Sequence, residues 1–591
     1  MRKSMKRLML CGSFAGMLKY VSAAVLIILL SLSCTKTPVM PDPEDPDSDP
    51  KDETPYTPPA VTGHVVGYLV YMGFEHEFFD TLLTAFDEFK SAGVTDLILD
   101  LRYNGGGHVV SSQGLASIIA GSWCKDKVFA YDRYNDDRMK AIGCDPADYR
   151  TYDYHKFFND LAERYNFSFS KFYVIVSSRT ASASELLINA LRGINYEVIV
   201  VGNENSIGKD VGMEVPYEKT IGDYCYQPVV ITFQSYNAKG ESDYNNGFAP
   251  NMKLSDDYRK YVPEDWGVPA DHNLRLRDEY NSLKKFSYDY LTEILLDING
   301  GNDVSYDNIE VVNVTSAQAG TRAIARQELK RSQLPGREKV TLNKTERPFR
   351  ENMVIFREDM TLPSTRALSI PEIASDPVKD WIDPWMDNYY LWNDAYRTCT
   401  KNYSLPADQF LENMLNQMKN KGANLQDGFM SGNTWHFFSY VDIWPAAGTV
   451  SAATTRGRES SDRWNQTFTH PQTLGFGLEL SPAYLSDQPD KQNRLGFIVD
   501  AVYPGSPAEK AGIVRGDIIL KIDGTALTDS NYTTYIPLLY ETFSSAVTYK
   551  FTLIDFNSAL GDMKDGATIS VTAADYERDP VIFKSIYRFK N

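Results

Sequence analysis

Two short segments hold the residues best suited to bond-breaking chemistry. In SRTASASELLINALRG, Ser178 to Gly193, the hydroxyls of Thr180, Ser182 and Ser184 stand just ahead of an apolar run. In EVIVVGNENSIGKDVG, Lys209 follows an apolar strand inside a glycine-flanked loop. A serine hydroxyl is a weak nucleophile until a base takes its proton. None of the seven histidines stands in a context that would supply that base. A lysine can, once burial brings its amine down from the usual value of about 10.4. Ser182 with Lys209 is therefore a candidate nucleophile and base. Each also has a plainer reading. Ser182 and Glu185 stand in the S-x-x-E relation of a helix capping box, the commoner use of such a serine. A loop lysine is most often simply solvated. A third segment, LILDLRYNGGGHVVSS, sets Gly105, Gly106 and Gly107 between an apolar strand and a helix. Glycine lets the backbone approach a ligand closely, and N–H groups at a helix start attract negative charge. That suits an oxyanion site, or a plain tight turn. The run lacks the Gly-x-Gly-x-x-Gly spacing and the Gly-Lys-Ser/Thr ending of nucleotide loops.

These residues must be positioned by strands and helices that the sequence outlines. HVVGYLVYMGF, KFYVIVSS, YEVIVVG and YQPVVITFQSYNA read as strands, and FFDTLLTAFDEFKSAG as a helix that stops at Gly93. Strands alternating with helices predict an α/β domain over residues 61–356. Its last long helix is LRLRDEYNSLKKFSYDYLTEILLDI, followed by a polar extension packed on it. Residues 357–377 lack periodicity and read as a linker. Residues 378–470 read as a small helical region with a polar Ser/Thr-rich loop, and 471–591 as a compact β domain with a carboxyl-terminal strand. The expected fold class is multidomain, α/β plus β.

Within the β domain, GFIVDAVYPGSPAEKAGIVRGDIILKIDG, with LGFGLEL upstream, resembles a PDZ domain. PDZ domains bind extended peptides by adding a strand to a sheet edge. The resemblance implies that Leu474, Gly475, Phe476 and Gly477 form the loop that receives a peptide's terminal carboxylate.

Taken together, DLRYNGGG, SSRTASASELLINAL, VVGNENSIGK and NNGFAPNM, with the PDZ run, resemble the carboxyl-terminal processing peptidases, or tail-specific proteases. The resemblance covers most of the chain from Gly63 onward. It implies a serine–lysine peptidase with a catalytic domain related to the crotonase and ClpP spiral of ββα units. By position, Ser182 is the nucleophile and Lys209 the general base. The oxyanion hole uses the Ala183 N–H and that of Gly105 or Gly106. No cofactor or metal is implied. The expected function is a serine endopeptidase acting on proteins or peptides through an acyl-enzyme. The alternative is a catalytically inactive, peptide-binding lipoprotein on a protease-like scaffold. Acyl-CoA chemistry on a crotonase-like fold fits poorly with the export signal described below.

Three features depart from the family pattern. Ser182 and Lys209 are 27 residues apart, slightly more than in many members. Met213 stands four residues after the lysine, where many members have Gln. The usual order is helical region, PDZ, then catalytic domain, whereas here the catalytic domain comes first. DPVIFKSIYRFKN, at the end of the chain, stands where members run on into a strand like HVVGYLVYMGF. This order looks like a circular permutation, and it predicts that Tyr587 lies close in space to Gly63.

Composition and the amino terminus give the setting. The net charge is −18, which offers no basic face to nucleic acid. The six cysteines include no C-x-x-C pair and suggest no disulfide framework. Basic residues precede the apolar run Val21 to Leu32, which at about 12 residues is short for a span of roughly 20. The pattern over residues 1–33 is that of a lipoprotein signal, with Cys34 as the lipidated residue. Met17 heads a compact version of the same signal. Residues 34–60, rich in Pro and Asp, read as a tether. The expected location is a bacterial cell envelope, lipid-anchored at the outer membrane and facing the periplasm or the surface. The expected partners are protein or peptide substrates and the membrane.

Overall fold

The computed structural model describes residues 54–253, 290–312, 354–355, 378–445, 470–485 and 494–590, apart from short stretches inside those spans. Cys34, the segment before it, most of the tether, the 357–377 linker and the polar loop lie outside the described residues. Among the described residues no helix is long and apolar enough to cross a membrane.

The amino-terminal α/β part begins with β1 (Val65–Tyr71), α1 (Phe79–Ala92), β2 (Asp96–Asp100) and α2 (Val109–Ala120). It continues with β3 (Lys171–Ile175), α3 (Ala183–Gly193) and β4 (Ile199–Gly202). Every residue of β2 is buried, as expected of an inner strand of a parallel sheet covered on both faces. α1 buries Phe79, Leu82, Leu83, Phe86 and Phe89, a helical spacing that lays one face on that sheet. It stops at Gly93, which takes the left-handed conformation at φ +70°. β1 to β4 pair in parallel in the order β4-β3-β2-β1. The strand ends and helix starts thus gather on one edge, where a ligand site of an open α/β sheet forms.

Beyond β4 come β5 (Val211–Met213), β6 (Tyr224–Val229) and β7 (Ile231–Tyr236). The region over 378–445 contains α4 (Ala407–Asn420) and β8 (Tyr440–Pro445). This region does not stand alone as a small helical unit. β8 pairs antiparallel with β6, and α4 sets Phe410, Leu411, Met414, Leu415 and Met418 in one core with Val211, Tyr226 and Ile231. The apolar face of α4 needs a partner, and β5, β6 and β7 supply it.

The PDZ part contains β9 (Leu478–Leu485), β10 (Arg494–Val502), β11 (Ile518–Ile522), β12 (Thr548–Ile554) and β13 (Asp565–Thr572), sheet neighbours in that order. Its core includes Phe476, Phe497, Ile519, Phe551 and Leu553. The last strand, β14 (Val581–Phe589), lies outside this sheet. It pairs antiparallel with β1, with Val66 opposite Tyr587, and the Phe589 N–H donates to His64 O at 3.1 Å. Tyr587 is therefore a sheet neighbour of the strand that begins just after Gly63. Because β1 is buried on nearly every residue, its outer edge needs a covering strand, and β14 provides it.

Candidate active site

The glycine turn is fixed from beneath. Asp100, buried at the end of β2, accepts from Tyr68 OH at 2.9 Å and pairs with Arg102 at 2.6 Å. Asn104, also buried, donates from Nδ2 to Tyr71 O at 3.0 Å, and its Oδ1 accepts the Gly106 N–H at 2.9 Å. Its carbonyl accepts from Ala181 N–H at 3.2 Å and from Ser184 Oγ at 3.1 Å. Asn104 thus pins the turn to the loop that carries Ser182. Gly106 has φ +109°, and a Cβ there would stand 2.7 Å from the Ser182 Cβ. Only glycine lets the two loops approach this closely.

Ser182 ends the loop and caps α3. Its φ of +58° and ψ of −117° are a conformation that costs a residue with a side chain about 1–3 kcal/mol. Surrounding bonds hold it there. Thr180 Oγ donates to Leu101 O at 2.7 Å, and its carbonyl accepts the Ile207 N–H at 2.9 Å. That ties the ends of β2, the Ser182 loop and the Lys209 loop together. Ala183 N–H and Gly105 N–H make no hydrogen bond among the described residues. Of the two glycines considered from the sequence, Gly106 has its N–H taken by Asn104, whereas the Gly105 N–H is not so engaged.

Glu185 joins the two candidate catalytic residues. It is fully buried, and its Oε2 accepts from both the Ser182 N–H at 3.0 Å and the Lys209 N–H at 2.8 Å. Its Oε1 accepts from the Gly208 N–H and from Ser206 Oγ, each at 2.6 Å. Ser182 and Glu185 do adopt the reciprocal arrangement of a capping box, but only the Glu185 arm is a well-formed hydrogen bond. Burial pushes the Glu185 carboxyl up to about 7, against the four hydrogen bonds that favour its ionised form.

Part of the Lys209 residue reaches solvent, but its amine end is enclosed. Nζ lies 3.6 Å from Met213 Sδ and 5.1 Å from the centre of the Phe438 ring. Burial lowers the amine to about 8, opposed by the charges of Asp427 and Glu185. Among the described residues no hydrogen bond joins Lys209 Nζ to Ser182 Oγ. The amine faces Met213 instead, at the position where the sequence departs from the family pattern. Catalytic hydrogen bonds are often long before substrate binds. His108, beside the glycine turn, directs Nδ1 to the backbone of Phe74 and His76, each at 3.2 Å. Glu75, Glu77 and His108 bring ligand atoms within 4.8 Å of one another near that turn, the first exposed and the other two half-buried.

In the PDZ part, Leu474 and Gly475 lie in the strand Gln472–Gly475, paired with Ala574–Glu577. Phe476 is buried in the PDZ core, among Phe543, Tyr549 and Phe551. Gly477 has φ +79°, and a Cβ there would overlap Ser506. The loop leads straight into β9, whose far end pairs antiparallel with Val354–Ile355. Arg179, three residues before Ser182, donates to Asp500 of β10 at 2.9 Å. The PDZ part is therefore tied to the loop that bears the serine.

Thr180 stood out in the sequence only as one of three clustered hydroxyls, and Asn104, Asp427 and Arg179 did not stand out at all. Asn104 lies inside the quoted YNGGG run, and that neighbourhood was the available signal. Asp427 carries no local pattern.

Residues 65–254 match peptidase family S41, and residues 498–551 match the PDZ domain. A Synechocystis protein described as the serine protease HhoA is 56% identical over 34 residues, which is 6% of this chain and 9% of that one. A Bacteroides fragilis structure described as an S41 protease is 24% identical, with a TM-score of 0.30, over 40% of this chain and 55% of that one. The photosystem II D1 C-terminal processing protease is 22% identical, with a TM-score of 0.24, over 32% and 42%. The chain thus covers about half or less of the length of each of these relatives. Ser182, Ala183, Gly105 and Lys209 all fall inside the first matched span, and the chain carries a peptidase family S41 domain followed by a PDZ domain.

Proposed function

We propose that this protein is a serine endopeptidase that cleaves proteins or peptides. Ser182 Oγ attacks the peptide carbonyl while neutral Lys209 takes its proton. The carbonyl oxygen becomes an oxyanion facing the N–H groups of Ala183 and Gly105. Collapse of this intermediate expels the amine, which receives the proton from Lys209, and leaves an ester on Ser182. Water then attacks the ester with Lys209 again as base and restores the free serine. The observation that carries this reading is the shared Glu185 Oε2, which holds the backbones of Ser182 and Lys209 side by side. Ser182→Ala should abolish cleavage of an unfolded protein substrate without changing the thermal melt.

The PDZ part captures the substrate's carboxyl terminus. The Leu474–Gly477 loop receives the carboxylate, and the peptide extends along β9. The pairing of Val354–Ile355 on that edge supports its capacity to accept an antiparallel strand. Amidating the substrate's carboxyl terminus should then slow cleavage. The domain order arises by circular permutation, a reading supported by the pairing of β14 with β1. The protein is anchored through lipid on Cys34 in a bacterial envelope. Mass spectrometry of the membrane fraction should find a lipidated Cys34 at the mature amino terminus.

A second reading is an inactive peptide-binding lipoprotein. The contact of Lys209 Nζ with Met213, and not with Ser182, favours it. Binding of a free carboxyl-terminal peptide without any cleavage would select it.

A further inference from the structure

We propose that Asp427, brought in from the region downstream of the S41 match, is the positioning residue for Lys209. This rests on the reading of Lys209 as the base. From its own stretch of chain the amine meets the Met213 thioether, with Sδ at 3.6 Å. Across from it stand Gln426, Asp427, Phe438 and Ser439. Phe438 sets its ring 5.1 Å from Nζ, and its N–H donates to Asp427 O at 3.4 Å.

The Asp427 side chain is fully buried. Oδ1 accepts from the Ser439 N–H at 2.9 Å and Oδ2 from Tyr390 OH at 2.8 Å. Two contacts dock this segment onto the Lys209 loop. Ser439 Oγ accepts the Ile231 N–H at 3.0 Å, and Ile231 is the strand partner of Met213. Gln426 Oε1 accepts from Gln234 Nε2 at 3.4 Å, which also donates to Asp210 Oδ2 at 2.9 Å. Tyr390 and Ser439 thus fix the Asp427 carboxyl, and Ser439 and Gln426 fix its segment to β7, the strand beside the Lys209 loop.

A buried carboxylate is costly unless a cation compensates it. Burial raises the Asp427 carboxyl, and the Ser439 and Tyr390 hydrogen bonds, together with the Lys209 charge, oppose that rise. In return, the charges facing the amine, Asp427 and Glu185, limit how far burial depresses it. Asp427 therefore supplies polar company for the amine that position 213 does not. It also makes the base depend on a region outside residues 65–254.

The test is the pH dependence of Ser182 labelling by a fluorophosphonate probe, in the full chain and in Asp427→Asn. Asparagine keeps the shape and an acceptor but removes the charge. The labelling midpoint should fall by about one pH unit, with a lower plateau. An unchanged midpoint in folded Asp427→Asn overturns the proposal. If that variant does not fold, Tyr390→Phe replaces it. Loss of the hydroxyl weakens the ionised form of Asp427, so the midpoint should move in the same direction by less, and no movement overturns the proposal. If Ser182 in the unsubstituted protein labels at no pH, the serine–lysine reading itself fails, and this inference with it.

Discussion

Ser182 carries a strained backbone and a hydroxyl that is only loosely engaged as a cap, and Lys209 carries an amine lowered to about 8. In the proposed mechanism the neutral amine is the active form, so the rate should rise with pH. Below pH 8 it should climb about tenfold per unit and level off above, because each unit changes the neutral fraction tenfold. A rate against pH profile checks this, and Lys209→Ala should flatten it while lowering activity by at least about a hundredfold. Gly106→Ala tests the turn at the same scale. Its Cβ would press on Ser182 and must adopt φ +109°. Activity should fall sharply, together with a loss of stability on the order of 1–3 kcal/mol, read by denaturant melts.

At the scale of elements, the loop after β2, the start of α3 and the loop after β4 are clamped by Thr180, Asn104 and Glu185. Glu185→Ala would leave buried N–H donors on Ser182, Gly208 and Lys209 without their acceptor. It should cost about 3 kcal/mol or more and abolish activity. Glu185→Gln, which keeps one acceptor oxygen, should lose less stability in the same melts. The sequence made these elements legible because their signals are local. The apolar β2, the glycine turn and the S-x-x-E start of α3 are each written in a few consecutive residues. It did not separate the two roles of Glu185. As a cap, Glu185 needs only Ser182, and the three donors from residues 206–209 arrive through the packing of β3 and β4. Likewise Gly105 and Gly106 look equivalent in sequence. Only the Asn104 side chain distinguishes their N–H groups.

Across the whole molecule, the segments do not fold as a row of separate units. α4 and β8 complete a core with β6 and β7, and β14 closes the exposed edge of β1. The local pattern of VIFKSIYRF reveals its strand character, and only the family resemblance placed it near Gly63, because pairing across some 500 residues leaves no local periodicity. For the same reason Asp427 was invisible beside Lys209. A fragment containing only residues 54–312 lacks β14 and the α4 face. It should melt without cooperativity and should be digested rapidly by trypsin under conditions the full chain resists. Breaking the Arg179–Asp500 contact by Asp500→Asn should leave both cores folded and loosen the PDZ part from the serine loop. Faster hydrogen exchange confined to Arg179–Ser184 and β10 would report it.

The central claim is that Ser182 is a nucleophile activated by Lys209. Mass-spectrometric mapping of a fluorophosphonate adduct on the full chain tests it most directly. The account predicts a single adduct on Ser182 that forms at least about a hundredfold more slowly in folded Lys209→Ala. An adduct on another residue, or equal labelling of Ser182 with and without Lys209, would contradict it.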